Sequence, residues 1–416
     1  MENIQKYKEE SFDMGLAAAL SPYQAPAFEA VNNKAWVPYL DTDKSQYPNK
    51  LIYYMKNSSM HGAILNNMIA QVAGNGFEVV ANGNNILATQ LFLKNMGSDD
   101  EDANDILFKW STDMCVFNGL SSLTTWGNDG AKVIHIDHID YSKIRSQKVN
   151  SKGDIEGYFF SMKWDTQRPK TIYIPNFNTS SMARKKKAYN EAIKQLVMDG
   201  VIVPELQEEF VEEVGQLYYF HPYKSDEFYY PTPAYVAATN AINANISASQ
   251  YALGMLENGI SANHIVTFTG TYDDNAFKKI CRDFSKAYIN NKRKGLPIYG
   301  KSDGDGNGIE VKAIPDNGKD QKFTQINDVT TQSILSGHGI TSPMLVGLMV
   351  PGSLGGSDQI IESAALFYKN VIRPKQNHIT KYINKILNLN GLDNVYIKRL
   401  EIESENNELK ETENKK

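Results

Sequence analysis

Two short strings in this 416-residue sequence bring together residue types that could do metal chemistry. The first is Asp303-Gly304-Asp305-Gly306-Asn307-Gly308, which sets oxygen ligands at the first, third and fifth places of a loop and a glycine at the sixth, as a calcium loop of the EF-hand type does. The match stops there. The twelfth place, where a bidentate Glu should close the shell, is Ile314, and Glu310 falls at the eighth. The flanks, Leu296-Pro297-Ile298-Tyr299 and Ile309 to Ile314, read as strands rather than helices, so the string is expected to be the Asp/Gly tip of a β-hairpin with no metal. The second string is His135-Ile136-Asp137-His138-Ile139-Asp140, whose side chains are ordinary ligands for zinc or manganese. On a strand of period two, His135 and Asp137 share a face and His138 points to the other, so a three-ligand site would need a bulge. A half-exposed strand with Ile134 and Ile136 inward is the simpler reading.

The elements around these strings supply no catalytic partner. Gly337-His338-Gly339 follows no strand and precedes no Lys-Ser/Thr, and no nucleophile elbow, Walker motif or dinucleotide fingerprint occurs elsewhere. A cytosolic metal-dependent hydrolase using His135, Asp137 and His138 is therefore the alternative reading; the leading expectation is no enzyme and no cofactor. With 41% hydrophobic and 22% charged residues the chain can bury a core, and its net charge of −5 argues against nucleic-acid binding through bulk positive charge. Two distant cysteines, Cys115 and Cys281, fit a reducing compartment. The polar opening MENIQKYKEE and the short run Leu16 to Leu20 do not have the form of a signal peptide.

Along the chain, residues 1–48 read as an extended arm. A helix carrying Met60, Ile64, Met68 and Val72 follows and should stop at Gly74-Asn75-Gly76 before a strand, Phe77 to Val80. An acidic lead, Asp99 to Asp102, precedes a helix that turns Ile106, Trp110, Met114 and Phe117 inward. Residues 120–230 are strand-like, interrupted by a helix at 184–198. Pro231 to Leu256 contains no charged residue, yet its Asn, Gln, Ser and Thr make it too polar for a membrane span. As one helix of about 39 Å it carries a seam of Tyr235, Thr239, Ile242, Ile246, Ser249, Leu253 and Leu256, with small residues elsewhere that permit close approach. The strand His264 to Phe268, a basic helix from Asp274 to Asn291 and the hairpin form a small αβ unit. A helix at 323–335 leads into the glycine-rich 347–358, and a further helix from Gln359 should break at Pro374. Residues 401–416, with six Glu and three Lys, read as a solvated, disordered tail.

Three stretches carry a family resemblance by their order. They are "ILNNMIAQVAGNGFEVV" at 64–80, "MLENGISANHIVTF" at 255–268 and "TTQSILSGHGITSPMLVG" at 330–347. In this respect the chain resembles the portal proteins of tailed bacteriophages, siphophage-type, over roughly residues 50–390. The resemblance implies an α+β fold with an α/β wing, a helical stem, a small αβ clip and a short helical crown. It places the N-terminal arm at 1–48, the wing at 49–230, stem helices at 231–258 and 320–338, the clip at 262–318, a tunnel loop at 346–358, wing and crown helices at 359–400 and the tail at 401–416. It implies a ring of about twelve subunits at one capsid vertex of the virion, assembled in the host cytoplasm, without a membrane. Double-stranded DNA would pass through the channel during packaging and ejection, and the terminase large subunit, the head-tail adaptor and the major capsid protein would be partners. Leu348, Met349, Val350, Ser353, Leu354, Gly355 and Gly356 would face the channel; Ala237, Ala241, Ala244, Ile246 and Ala248 would pack between stem helices of neighbouring subunits; and Lys278, Lys279, Arg282, Lys286, Asp303 and Asp305 would meet partners at the clip.

Overall fold

The computed structural model describes residues 35–39, 46–81, 83–98, 100–127, 132–166, 168–179, 215–258, 264–269, 273–289, 298–302, 308–313, 319–347 and 357–400. The helix expected at 184–198, the Asp/Gly tip, most of the glycine-rich loop and the tail lie outside them. The chain divides into two compact units, and residues 237–337 with 57–61 form the second.

The first unit begins with helices α1 (Tyr47–Asn57) and α2 (Ser59–Ala73), two helices where the periodicity suggested one. Ile64, Met68 and Val72 are buried as their spacing requires. Helix α2 ends because the chain turns through positive φ at Gly74 (58°) and Gly76 (87°), conformations natural to glycine. That turn receives the chain's far end: Asn75 N donates to Lys398 O at 2.8 Å and Lys398 N to Gly76 O at 2.9 Å. Strand β1 (Phe77–Val79) consequently pairs antiparallel with the last strand, Val395–Ile397. After α3 (Ile86–Lys94), Asp102 caps α4 (Ala103–Val116). Its carboxylate accepts from Asn104 N and Asp105 N, while Asp105 accepts from Asp102 N, a reciprocal capping box. The inner residues Ile106, Trp110 and Met114 are 0% exposed.

Strand β2 (Leu120–Trp126) is central in a sheet between β3 (Val133–His138) and β7 (Gly215–Phe220). A second sheet orders β4 (Ile144–Ser146), β5 (Gly157–Phe160) and β6 (Ile172–Pro175). Residues 35–39 dock on it: Val37 N donates to Ser146 O at 2.9 Å, and Trp36, Val37 and Tyr39 are buried. The last part of the expected arm is thus core. Beneath it Arg145, 1% exposed, donates to Ser142 O and Ile144 O and lies over the rings of Tyr39 and Trp164 at 5.5 and 4.9 Å.

The helix expected to break at Pro374 does not. Helix α8 (Ser357–Phe367) passes through a wide π turn, Tyr368–Ile372, into α9 (Arg373–Leu389). Pro374 stands in the first turn of α9, where the absent N–H and fixed φ cost little. α9 then drives Ile379, Tyr382, Ile383 and Ile386 into the core, all at most 1% exposed. β11 (Val395–Ile397) closes the unit.

In the second unit the charge-free segment becomes helical later than expected. Pro231 and Pro233 hold it extended, Val236–Ala238 is a 3-10 turn, and α5 runs Thr239–Asn258. The expected hairpin is replaced by another topology. β8 (His264–Thr269) lies between β9 (Ile298–Ser302), parallel to it, and β10 (Gly308–Ala313), antiparallel, so β9 and β10 do not pair. Helix α6 (Asp274–Ile289) accounts for the parallel pair, since a helix between two strands returns the chain parallel to the first, and β10 then takes the other edge of β8. Helix α7 (Lys319–Gly337) packs against α5.

Gly74 offers a direct test of the closure at Lys398. A Cβ there would stand 2.2 Å from Lys398 O, whereas at Gly391, with φ 73°, it would meet nothing within 4 Å. Gly74→Ala is expected to lower stability by about 2–4 kcal/mol and Gly391→Ala by about 1 kcal/mol; thermal melts of the two variants should separate accordingly, and equal melting temperatures would show that the Gly74 turn does not anchor β11.

Candidate functional site

The residues expected to act between subunits lie on α5 and the turn before it. Repeats of four, three and four along 237, 241, 244 and 248 place four alanines on one stripe. Ala237 is exposed and Ala241, Ala244 and Ala248 are half-buried. About a third of a turn away, Ile242 (0% exposed), Asn245 (8%) and Ile246 (3%) form the buried face, and α7 buries Thr330, Ile334 and Leu335 in the same unit. Ile246 is therefore internal to the protomer and does not belong with the alanines. The apolar seam also divides: Ile242 and Ile246 are covered, while Ser249 and Leu253, 56% exposed, are not. The remaining exposed side carries Asn240, Asn243, Ser247 and Gln250, uncharged donors and acceptors.

What holds the buried face in place is polar. Ser58, in the break between α1 and α2, donates its hydroxyl to Asn245 Oδ1 at 2.8 Å and accepts from His61 N at 3.3 Å. His61 is 0% exposed, and burial pushes its imidazole down to about 4. The periodicity of residues 51–73 shows an apolar face; it cannot show that the helix breaks to send Ser58 to α5.

The chain enters and leaves the second unit at neighbouring points of the first. Tyr235 and His338 stack with ring centroids 4.8 Å apart, and Tyr235 donates its hydroxyl to Val116 O at 2.8 Å. The Gly337 turn expected from sequence is present: α7 ends there, Gly339 has φ 68°, and a Cβ on Gly337 would lie 2.4 Å from that of Ala238. These residues were not among the expected site residues; the "SGHG" string is the signal that marks them.

Of the expected clip residues, Lys278, Lys279 and Arg282 are exposed on one side of α6, and Phe277 turns inward against Phe268. Lys286 is in the same helix. Asp303 and Asp305 fall outside the described residues, as do Leu348, Met349, Val350, Ser353, Leu354, Gly355 and Gly356; Gly347, with φ 75°, is the last described residue before that loop.

The His/Asp string does not converge. The register of β2 with β3 shifts at Thr125/Trp126 and leaves Ile134 between the paired residues, so Ile134 is 46% exposed rather than inward, while Ile136 is buried. Asp137 accepts from Ser98 N and Oγ at 2.7 and 2.8 Å. His138 Nε2 lies 2.8 Å from Asp113 Oδ2, and burial pushes that carboxyl up to about 6 against the opposing hydrogen bond with His138. His135 Nδ1 is buried with no hydrogen bond. Three different surroundings occupy the three side chains, and among the described residues no group of three His, Cys, Asp or Glu could hold a metal ion.

No protein-family model and no curated protein matches this chain. Solved structures do. The chain is similar to one in the neck of an empty gene transfer agent particle, with TM-score 0.52 and 10% identity over 88% of this chain and 87% of that one. It is similar to one in the virion of the native particle, with TM-score 0.50, 10% identity and the same coverage. An HK97-family phage portal protein from Corynebacterium diphtheriae aligns more loosely, with TM-score 0.43 and 9% identity over 79% and 88%. At such identity the likeness is one of fold, and the fold is the α+β, portal-like one implied by the order of segments.

Because the His61 pKa in the folded chain, about 4, lies below its ordinary 6.5, its contribution to stability is full above 6.5 and is lost as pH falls toward 4. The loss amounts to about 3 kcal/mol when complete. In His61→Gln the difference in stability between pH 7 and pH 4 is expected to shrink by roughly that amount, read by urea denaturation at both pH values; identical pH dependence in both proteins would show that His61 titrates normally.

Proposed function

We propose that this chain is the subunit of a portal, a ring at one capsid vertex through which double-stranded DNA enters and leaves a virion, with a structural rather than a catalytic role. The observation that supports it most is the combination of a portal-like fold with the surface of α5. From Pro231 to Leu256 there is no charge, so a wall built from this segment has no Lys or Arg to hold phosphates as DNA slides past. The alanine stripe suits close helix approach between neighbouring copies through a heterologous contact that closes on itself. The neck that the chain resembles was computed with sixfold symmetry, and a ring of twelve copies is compatible with that axis.

In this reading 49–230 and 359–400 form the wing with a small crown, α5 and α7 the stem, and 262–318 the clip. The exposed Lys278, Lys279 and Arg282, with Lys286, Asp303 and Asp305, offer charge to the terminase large subunit during filling and to the head-tail adaptor afterwards. The major capsid protein surrounds the ring, and assembly takes place in the host cytoplasm. Residues 346–358 form the tunnel loop. Its sequence joins Gly347, Gly352, Gly355 and Gly356 to Leu348, Met349, Val350 and Leu354, apolar contacts that touch DNA without salt links.

Purified protein should appear by native mass spectrometry as a closed ring many times the 46.6 kDa of one chain. Ala244→Glu, which places a charge on the stripe, should reduce assembly at least about tenfold, the equivalent of roughly 1.4 kcal/mol per contact; rings persisting at wild-type concentration would remove α5 from between subunits. Replacing Gly355 and Gly356 with Ala should leave rings and procapsids normal while impairing DNA packaging or retention, because positive φ becomes restricted. Wild-type packaging and retention by that double variant would end the tunnel-loop assignment.

A further inference from the structure

Helix α9 carries a local charge opposite in sign to that of the chain. From Lys369 to Leu392 the sequence holds Lys369, Arg373, Lys375, Lys381 and Lys385 and no acidic residue, in a protein of net charge −5. Lys375 is internal: it is 6% exposed and donates to Met114 O at 3.0 Å. Arg373, Lys381 and Lys385 are exposed, and with Asn377 they recur at intervals of four along one side of the helix. Toward the C-terminal end that side borders an open groove of about 550 Å³; the described residues that line it, Thr179, Lys381, Asn384, Lys385, Asn388 and Leu389, include no carboxylate. The Lys385 ammonium lies 4.9 Å from the centroid of Phe177, and among the described residues neither Lys381 nor Lys385 makes an ion pair.

A complementary charge belongs to the same chain. Residues 401–416 carry six Glu against three Lys, a side-chain balance of −3. The strand that leads to them is fastened to α9. Asn384, which borders the groove, donates to Val395 O at 2.9 Å and accepts from Val395 N at 2.8 Å, and the Arg399 guanidinium lies 4.3 Å from the Tyr368 ring centroid. Sixteen extended residues reach roughly 50 Å, about twice the ~26 Å length of a 17-residue helix such as α9. The segment can therefore lie along the whole basic side, and tethering presents it at a concentration of order millimolar.

We infer that residues 401–416 dock through their glutamates on the Arg373–Lys385 side of α9 and its terminal groove. Docked there, the segment occupies the basic side of α9 and keeps nucleic-acid phosphates off it. A free polyanion would meet the same lysines, but it must compete with a tethered one.

The test is zero-length carbodiimide cross-linking of the full chain, made from an equal mixture of nitrogen-15-labelled and unlabelled protein and read by mass spectrometry. Lys381 and Lys385 should link to glutamates of 401–413 within one isotope population, with yield falling at least about fivefold in roughly 0.5 M salt. The Lys109 to Glu101 ion pair is the internal control for reagent activity. Lys381→Glu with Lys385→Glu should abolish the tail links and leave the control link. Control links without tail links, or tail links chiefly between the two isotope populations, would overturn the inference. Independently, converting the six tail glutamates to Gln should tighten binding of a short DNA duplex at least about fivefold at low salt, and that gain should vanish with the two lysine reversals. Equal duplex affinity with and without the acidic tail would show that a nucleic acid, not the tail, is the groove's partner.

Discussion

The hydroxyl of Tyr382, 2.8 Å from Thr124 Oγ1, joins the last long helix to the central strand of the principal sheet across 258 residues of sequence. Its ring is stacked on Tyr218 at 4.0 Å and meets the edge of Trp110 at 5.4 Å, so one side chain touches β2, β7 and α4 together. The hydroxyl must find a partner because it is fully buried, and the aromatic surface must be covered because it is large. Around it Lys375 reaches Met114 O at the end of α4, and Gln376 reaches Gln71 O and Val72 O at the end of α2. Helix C-termini that would otherwise bury bare carbonyls are thus completed by residues from the far end of the chain.

That dependence explains how a second unit can be inserted into the first. Unit one is interrupted at Val236 and resumes at His338, so its core is incomplete until α9 has returned. Both crossing points must then lie together. The Tyr235 and His338 stack holds them in the first unit, and the absence of a side chain on Gly337 lets it approach Ala238 in the second. A side chain at Gly337 would force the end of α7 away from Ala238, just before α5. The same region carries the hydrogen bond from Tyr235 to Val116 O, within the first unit.

Charge is distributed to match these roles. The long helix of the second unit has no Lys or Arg and no acidic residue before Glu257, and small residues cover much of its surface, as the proposed channel and subunit contacts require. Basic residues gather instead on α6, where the proposed partners dock, and on α9, within reach of an acidic segment of the same chain. Buried charge is kept where backbone carbonyls and ring faces surround it, as at Arg145 and Lys375, an arrangement whose value depends on the site remaining dry.

Local residue preferences settled a good part of this. The Asp102 cap with Asp105, the glycine turns at 74–76 and 337–339 and the inward faces of α2 and α4 follow from spacing, φ preference and dipole, all interactions within a few residues, and the charge-free stretch from Pro231 to Leu256 is plain in the sequence itself. The order of segments was enough for the portal-like fold. What sequence could not decide is every choice made between distant segments: that β10 crosses to the far edge of β8 rather than pairing with β9, that a π turn absorbs Pro374, that a register shift turns Ile134 outward, that Ile246 is buried within the protomer, and that residues 35–39 dock on a sheet. Each alternative satisfies the local pattern equally well. Which one occurs is decided by non-local packing, where a strand takes the edge left open to it and a buried polar group takes the partner brought within 3 Å. The separate destinations of His135, Asp137 and His138 are the same lesson for chemistry: adjacency in sequence supplies ligands, and only the fold determines whether they meet.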